Sequence, residues 1–198
     1  MRLGKVVKSN SHCDYVIQVD DEMDVTEPPQ PEDYGFASFV KLETIQRHWA
    51  VGLIYNSQLF NPAFLNAGPR LVSEPDAFFT PDLIKETHVL LWTVLIGTLE
   101  TDKQHHYGVQ GIPTIVVPVN TPVWRMSESE VRDFHRDQDS SAQFAYYSHV
   151  LKSGGLFASQ LVEQVLEQVG NLFEGSDRRA LDILRKELLW KHSLGMMR

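Results

Sequence analysis

The chain has 198 residues, 42% of them apolar and 22% charged, a composition ordinary for a soluble globular protein and long enough to bury a real core. A net charge of −8 and a pI near 5.4 exclude a protein that grips nucleic acid by bulk charge, because such binding is driven mainly by neutralising phosphates. Cys13 stands alone, which excludes an intrachain disulfide and any metal site built on several thiolates.

Leu3–Lys8 and Tyr15–Val19 are rich in β-branched residues and read as the first two strands. Ser9, Asn10 and Ser11 lie between them and can bond their own backbone, so the pair reads as a hairpin. Residues 20–35 then carry seven acids, three prolines and no base. Such a segment has too little apolar surface to offset its ordering entropy. It reads as an exposed acidic loop at one rim, a candidate dock for a basic surface. The stretch from Phe36 to Leu71 organises the rest. Phe36–Leu42 and Trp49–Tyr55 are its strands, with Phe39 and Val40 on opposite faces. Gly52 marks a bulge or a barrel corner. Short helical turns are expected from Asn61 to Leu65 and from Pro81 to Lys85.

His88–Leu99 is apolar on both faces, which predicts a central strand buried on each side. Thr101–Tyr107 reads as a polar turn. Ile115–Val119 reads as the last strand. Pro113, Pro118 and Pro122 flank it and place it at an edge or leaving the sheet. The pattern changes at Ser127, where Glu130 three residues on completes a capping box and opens a helix from Glu128 to Arg136. Ser140 or Ser141 can cap a second helix through Leu151, which Gly154 and Gly155 end. A third helix, Phe157–Leu172, carries the stripe Ala158, Leu161, Val162, Val165, Val169 and Leu172. A fourth runs from Asp177 to Gly195 on Leu181, Leu184 and Leu188. The fold class is therefore α+β: a small closed β-barrel of about six strands over residues 1–125, then a helical extension over 126–198.

Catalytic chemistry is hard to assemble from these residues. Asp102, His105 and His106 could hold a metal at a barrel rim and make a metal-dependent enzyme, but adjacent histidines point apart and no third ligand lies near. His12, Cys13 and Asp14 suggest a nucleophile, yet neighbours on an extended chain rarely face one another. The expectation is no catalytic residue, no metal and no cofactor. Trp49, Trp92 and Trp124 read as core or rim packing. Nucleic acid or partner contact has two candidate patches. One is Arg47, His48 and Trp49, a basic and aromatic cluster of the kind small barrels use on single strands. The other is Arg178, Arg179 and Arg185 on the last helix, where Asp182 and Glu187 interleave. The N-terminal residues lack the apolar core of a signal peptide. The longest apolar run, Val89–Ile96, is too short to cross a bilayer. A cytoplasmic protein without membrane contact is expected.

The series LGKVV at Leu3–Val7, YGFASFVKLE at Tyr34–Glu43, VGLIYN at Val51–Asn56, GPRL at Gly68–Leu71, VLIGTLE at Val94–Glu100 and VPVNTPVWRMSESEV at Val117–Val131 resembles the HAS barrel. This is the small β-barrel shared by the N-termini of HerA-type DNA translocases and ATP synthase subunits. The resemblance covers roughly residues 1–135. HerA-type proteins follow the barrel with a RecA-like motor and its P-loop. Here no GxxxxGK followed by Ser or Thr occurs, and Lys152–Gly155 has the letters in the wrong order. The resemblance thus implies a stand-alone relative without ATPase chemistry. It would be a non-enzymatic assembly module that self-associates into a homo-oligomer, and an accessory to a HerA-type ATPase or a nuclease. A single-stranded nucleic-acid-binding accessory protein is the alternative.

Overall fold

The computed structural model describes residues 1–43, 49–60, 88–101 and 105–195. The helical turns expected at Asn61–Leu65 and Pro81–Lys85, and the GPRL segment, lie outside them.

Seven strands form among the described residues: β1 Arg2–Ser9, β2 Asp14–Val19, β3 Phe39–Glu43, β4 Trp49–Phe60, β5 His88–Thr101, β6 His106–Gln110 and β7 Pro122–Arg125. Every pairing is antiparallel, and six strands close in the order β1, β2, β5, β4, β3, β7 and back to β1. A closed cylinder removes the unpaired edges that make open sheets prone to aggregation. The long β5 makes closure possible. One of its edges lies along β4; the other serves β2 at Leu90–Val94 and then β6 at Gly97–Thr101. On the β4 edge Ile96 is an extra residue, level with the passage from β2 to β6, because Gly52 pairs Leu95 while Val51 pairs Gly97. An extra residue on one strand raises the local twist and bends the sheet. Gly52 sits at this bend, as the sequence predicts. A side chain there would bring Cβ to 2.5 Å from Thr93 Cγ2.

Alternation along the strands splits the apolar residues into two cores. One fills the barrel interior and includes Leu3, Val6, Tyr15, Ile17, Val40, Leu42, Ile54, Leu91, Leu95 and Val123. The other lies on the outer face, where Phe39, Val51, Leu53, Val94 and Ile96 meet the helices. β3, β4 and β5 therefore bury both faces over the shared stretch, which explains the doubly apolar His88–Leu99. Each such side chain contributes about 1.5–3 kcal/mol relative to exposure.

Among the described residues four helices make the outer layer: α1 Glu128–Phe134, α2 Tyr147–Ser153, α3 Ala158–Gly170 and α4 Gly175–Gly195. α1 starts at the predicted capping box, with Ser127 Oγ accepting from the Glu130 amide at 3.3 Å and Glu130 Oε2 accepting from the Ser127 amide at 2.9 Å. Lys41 of β3 pairs with Glu130, which ties the helix to the barrel. Burial pushes the Glu130 carboxyl up, but Lys41 and the cap outweigh it and hold it below the usual range. α3 buries Leu161, Val162, Val165, Leu166 and Val169, and α4 leans on it through Leu181, Leu184 and Leu188.

Four expectations are corrected. Ile115–Val119 is not a strand; the last strand of the barrel is Pro122–Arg125. It lies between β1 and β3 rather than at an edge, and its proline is tolerated because it is the first residue of the strand. Thr101–Tyr107 is not wholly a turn, since β6 begins at His106. The second helix starts at Tyr147 with no side-chain cap. Ser140 and Ser141 instead belong to a turn in which Asp137 Oδ1 accepts from the amides of Asp139 and Ser141, both at 2.9 Å. Finally, the acidic segment is partly tied down. Arg2 Nε meets Asp20 Oδ2 at 2.8 Å, Lys5 meets Asp24 at 2.9 Å and Arg125 meets Asp33 at 3.0 Å. Asp20 is buried; desolvation pushes its carboxyl up, and the Arg2 guanidinium offsets part of that. The basic partners come from β1 and β7, far away in sequence, so composition alone could not reveal them.

Candidate interaction surface

The helical layer is fastened to β6 by two glutamines. Gln110 Nε2 donates to the carbonyls of Phe134 and Gln143 at 3.1 and 3.3 Å, and its Oε1 accepts from the Ala145 amide at 2.7 Å. Gln143 Nε2 donates to the carbonyls of Gly108 and Arg136 at 2.7 and 2.9 Å. The Gly108 amide also donates to Arg136 O at 3.0 Å. These bonds satisfy the backbone groups at the end of a short helix, which would otherwise lack partners. β6 is what the layer fastens to, and only its first two residues, His106 and Tyr107, fall within the turn expected from the sequence.

Beside this clasp lies His135, fully buried. Its Nδ1 is 2.7 Å from the Val131 carbonyl, so Nδ1 carries the proton and donates. Nε2 then accepts from the Tyr146 hydroxyl at 2.8 Å. Phe39, Phe134 and Phe144 pack around the ring. Burial holds the imidazole neutral and pushes its pKa down to about 4; burial also raises that of the Tyr146 phenol. A neutral, doubly bonded imidazole, fully buried in an aromatic box, is a core residue. Nothing in the sequence singles it out, because Tyr146, Phe39 and Phe144 reach it from other parts of the chain.

The layer exposes large apolar side chains. Leu151 is exposed near the end of α2, Leu156 is 96% exposed in the turn after it, and Phe157 is 56% exposed with its ring perpendicular to that of Phe36. On α4, Ile183 and Trp190 are exposed two turns apart. A further group, Ile112, Val116 and Val119, is exposed in the segment leading to β7. Single exposed hydrophobes need no explanation, but three within seven residues of chain mark a surface where another molecule can bury apolar area.

Two surface cavities flank the layer. One, of about 360 Å³, lies between the β3 and β7 ends and the α1 and α3 helices, lined by residues that include Arg125, Glu128, Gln168 and Asn171. The other, of about 410 Å³, lies between β6 and the segment after α1, with Tyr107, Asp137 and Asp139 in its wall. Neither gathers a nucleophile with a base. Among the described residues no three His, Cys, Asp or Glu side chains come together as a metal site.

The sequence candidates fall as follows. Arg47, His48 and Asp102 lie outside the described residues, and Trp49 opens β4 opposite Glu43. His105 donates to Gln138 O at 3.2 Å while His106 Nδ1 meets Thr101 Oγ1 at 2.8 Å, so the two rings are engaged in different directions. Likewise His12 donates to Pro113 O, and Asp14 accepts from Tyr55 at 2.9 Å and Asn10 at 3.1 Å. Cys13 is buried, which pushes its thiol up and away from the reactive thiolate. Arg178 and Arg179 are exposed on the first turns of α4. Arg185 is set apart from them: it bridges Glu167 at 2.9 Å and Glu163 at 3.6 Å on α3, so its charge already has carboxylate partners.

Among the described residues no helix is long and apolar enough to cross a membrane. A family model described as "Domain of unknown function (DUF8166)" matches residues 1–198. No curated protein matches the chain.

Proposed function

The chain belongs along its whole length to the DUF8166 family, and on that premise we propose that it is a non-enzymatic assembly module that associates with further copies of itself. The observation that carries this reading is the exposed apolar run Leu151, Leu156 and Phe157, set on a helical layer that rests on a barrel whose interior is filled by side chains. A filled barrel is a scaffold rather than a chamber, so the features free to act are on its outside. The resemblance to the HAS barrel extends the proposal to a cytoplasmic accessory of a DNA-processing motor, the partner being a HerA-type ATPase or a nuclease.

Sedimentation of the full chain across the micromolar range tests it. The expected result is a mass that climbs with concentration above the 22.6 kDa of one chain, with Leu156→Asp or Phe157→Asp lowering the association. A constant 22.6 kDa mass at every concentration would refute self-association.

A further inference from the structure

We propose that the His135–Tyr146 pair is an acid-released catch that holds the helical layer against the barrel. This goes beyond the assembly reading and does not depend on it. The groups that face the imidazole are Phe39 from β3, Val131 and Phe134 from α1, and Phe144 and Tyr146 from the segment before α2. Tyr146 is the titratable one among them, and its phenol is neutral. No carboxylate among the described residues is in contact with the ring. A proton added at Nε2 therefore takes away the acceptor that the Tyr146 hydroxyl donates to, and places a charge in an apolar box without a counter-ion. The imidazolium reaches water only if the box opens.

The place of the pair in the fold decides what opens. His135 caps the C-terminal end of α1, and Tyr146 directly precedes α2. The Gln110 and Gln143 clasp spans the chain between them. Loss of the box frees this segment and the helices it joins. The barrel interior is a separate core that contains none of these side chains, so β1, β2 and β7 keep theirs. Local opening along such a seam is how proteins release one cooperative unit before another. The sign follows from linkage: the folded imidazole titrates at about 4 against an ordinary 6.5. It contributes stability that is fully present above 6.5 and is lost as pH falls toward 4.

The test is hydrogen exchange of the full chain, read by peptide mass and corrected for intrinsic rate, from neutral pH downward. Peptides over 128–170 are expected to lose protection between pH 6.5 and 4, while those of β1 and β2 stay protected. His135→Gln and His135→Phe remove the titrating group and are expected to move that loss to lower pH by about one unit or more. Tyr146→Phe removes the donor that favours neutral imidazole and is expected to move it to higher pH, so a variant remains informative if the His135 changes fail to fold. His149, which donates to Leu95 O between α2 and β5, is the control, and His149→Gln should leave the midpoint in place. The proposal is overturned if helices and β1–β2 lose protection together. It is equally overturned if the midpoint stays put in the His135 and Tyr146 variants, or if it follows His149.

Discussion

Gly108→Val is expected to destabilise the protein by more than about 4 kcal/mol, the range reserved for changes the fold cannot absorb. Gly108 sits in the middle of β6, where the chain passes directly beneath the end of α1. A Cβ there would overlap the Phe134 carbonyl. Backbone, not a flexible side chain, stands in the way. The Gly108 amide and carbonyl are also both in use, the first to Arg136 and the second from Gln143. Moving β6 away would break these bonds and leave buried polar groups without partners. Urea denaturation checks it: the midpoint should drop sharply with an unchanged slope. A shift worth less than about 1 kcal/mol would show that the close approach is not there.

Phe134→Ala should cost about 3–5 kcal/mol, the usual range for emptying a fully buried aromatic site. Phe134 is 0% exposed and joins both halves of the structure. Its ring packs against His135 and Tyr146 and reaches the bend at Gly97 of β5. Helix and sheet are each fixed by other bonds, so the hole cannot close by collapse, and the cost should fall in the upper part of the range. Phe134→Leu, which fills most of the volume, should cost clearly less. Equal losses for the two variants would contradict a tightly packed junction.

Much of this architecture is written locally. Strand β1 and strand β2 announce themselves through β-branched content and a Ser-Asn-Ser turn. The capping box at Ser127 and Glu130 gives the first helix to within two residues of its end. The doubly apolar His88–Leu99 reports a strand between two cores, because its residues must satisfy the barrel interior and the helices at once. What stayed hidden depends on partners distant in sequence. β6 is the short, polar HYGVQ, made a strand by pairing with β5 and by the glutamine clasp. Ile115–Val119 has strand composition but no strand paired with it among the described residues, while Pro122–Arg125 has a neighbour on each side. Asp20 reads as one more acid in a solvated loop until Arg2 is seen beside it. The candidate surface was legible in part. The arginines of α4 are visible in the sequence, but not that Arg185 is turned to α3 by Glu163 and Glu167. The break at Gly154 and Gly155 was legible, but not that Leu156 and Phe157 stay exposed in the turn there.

The assembly reading stands on where association protects the chain. Hydrogen exchange of the full chain at low and at high micromolar concentration, under otherwise identical conditions, locates that surface. The account predicts that raising the concentration slows exchange in peptides covering 147–157, and leaves β1, β2 and the acidic segment 20–35 unchanged. Exchange that is the same at both concentrations, or that slows at the barrel rim instead of the helical layer, would contradict it.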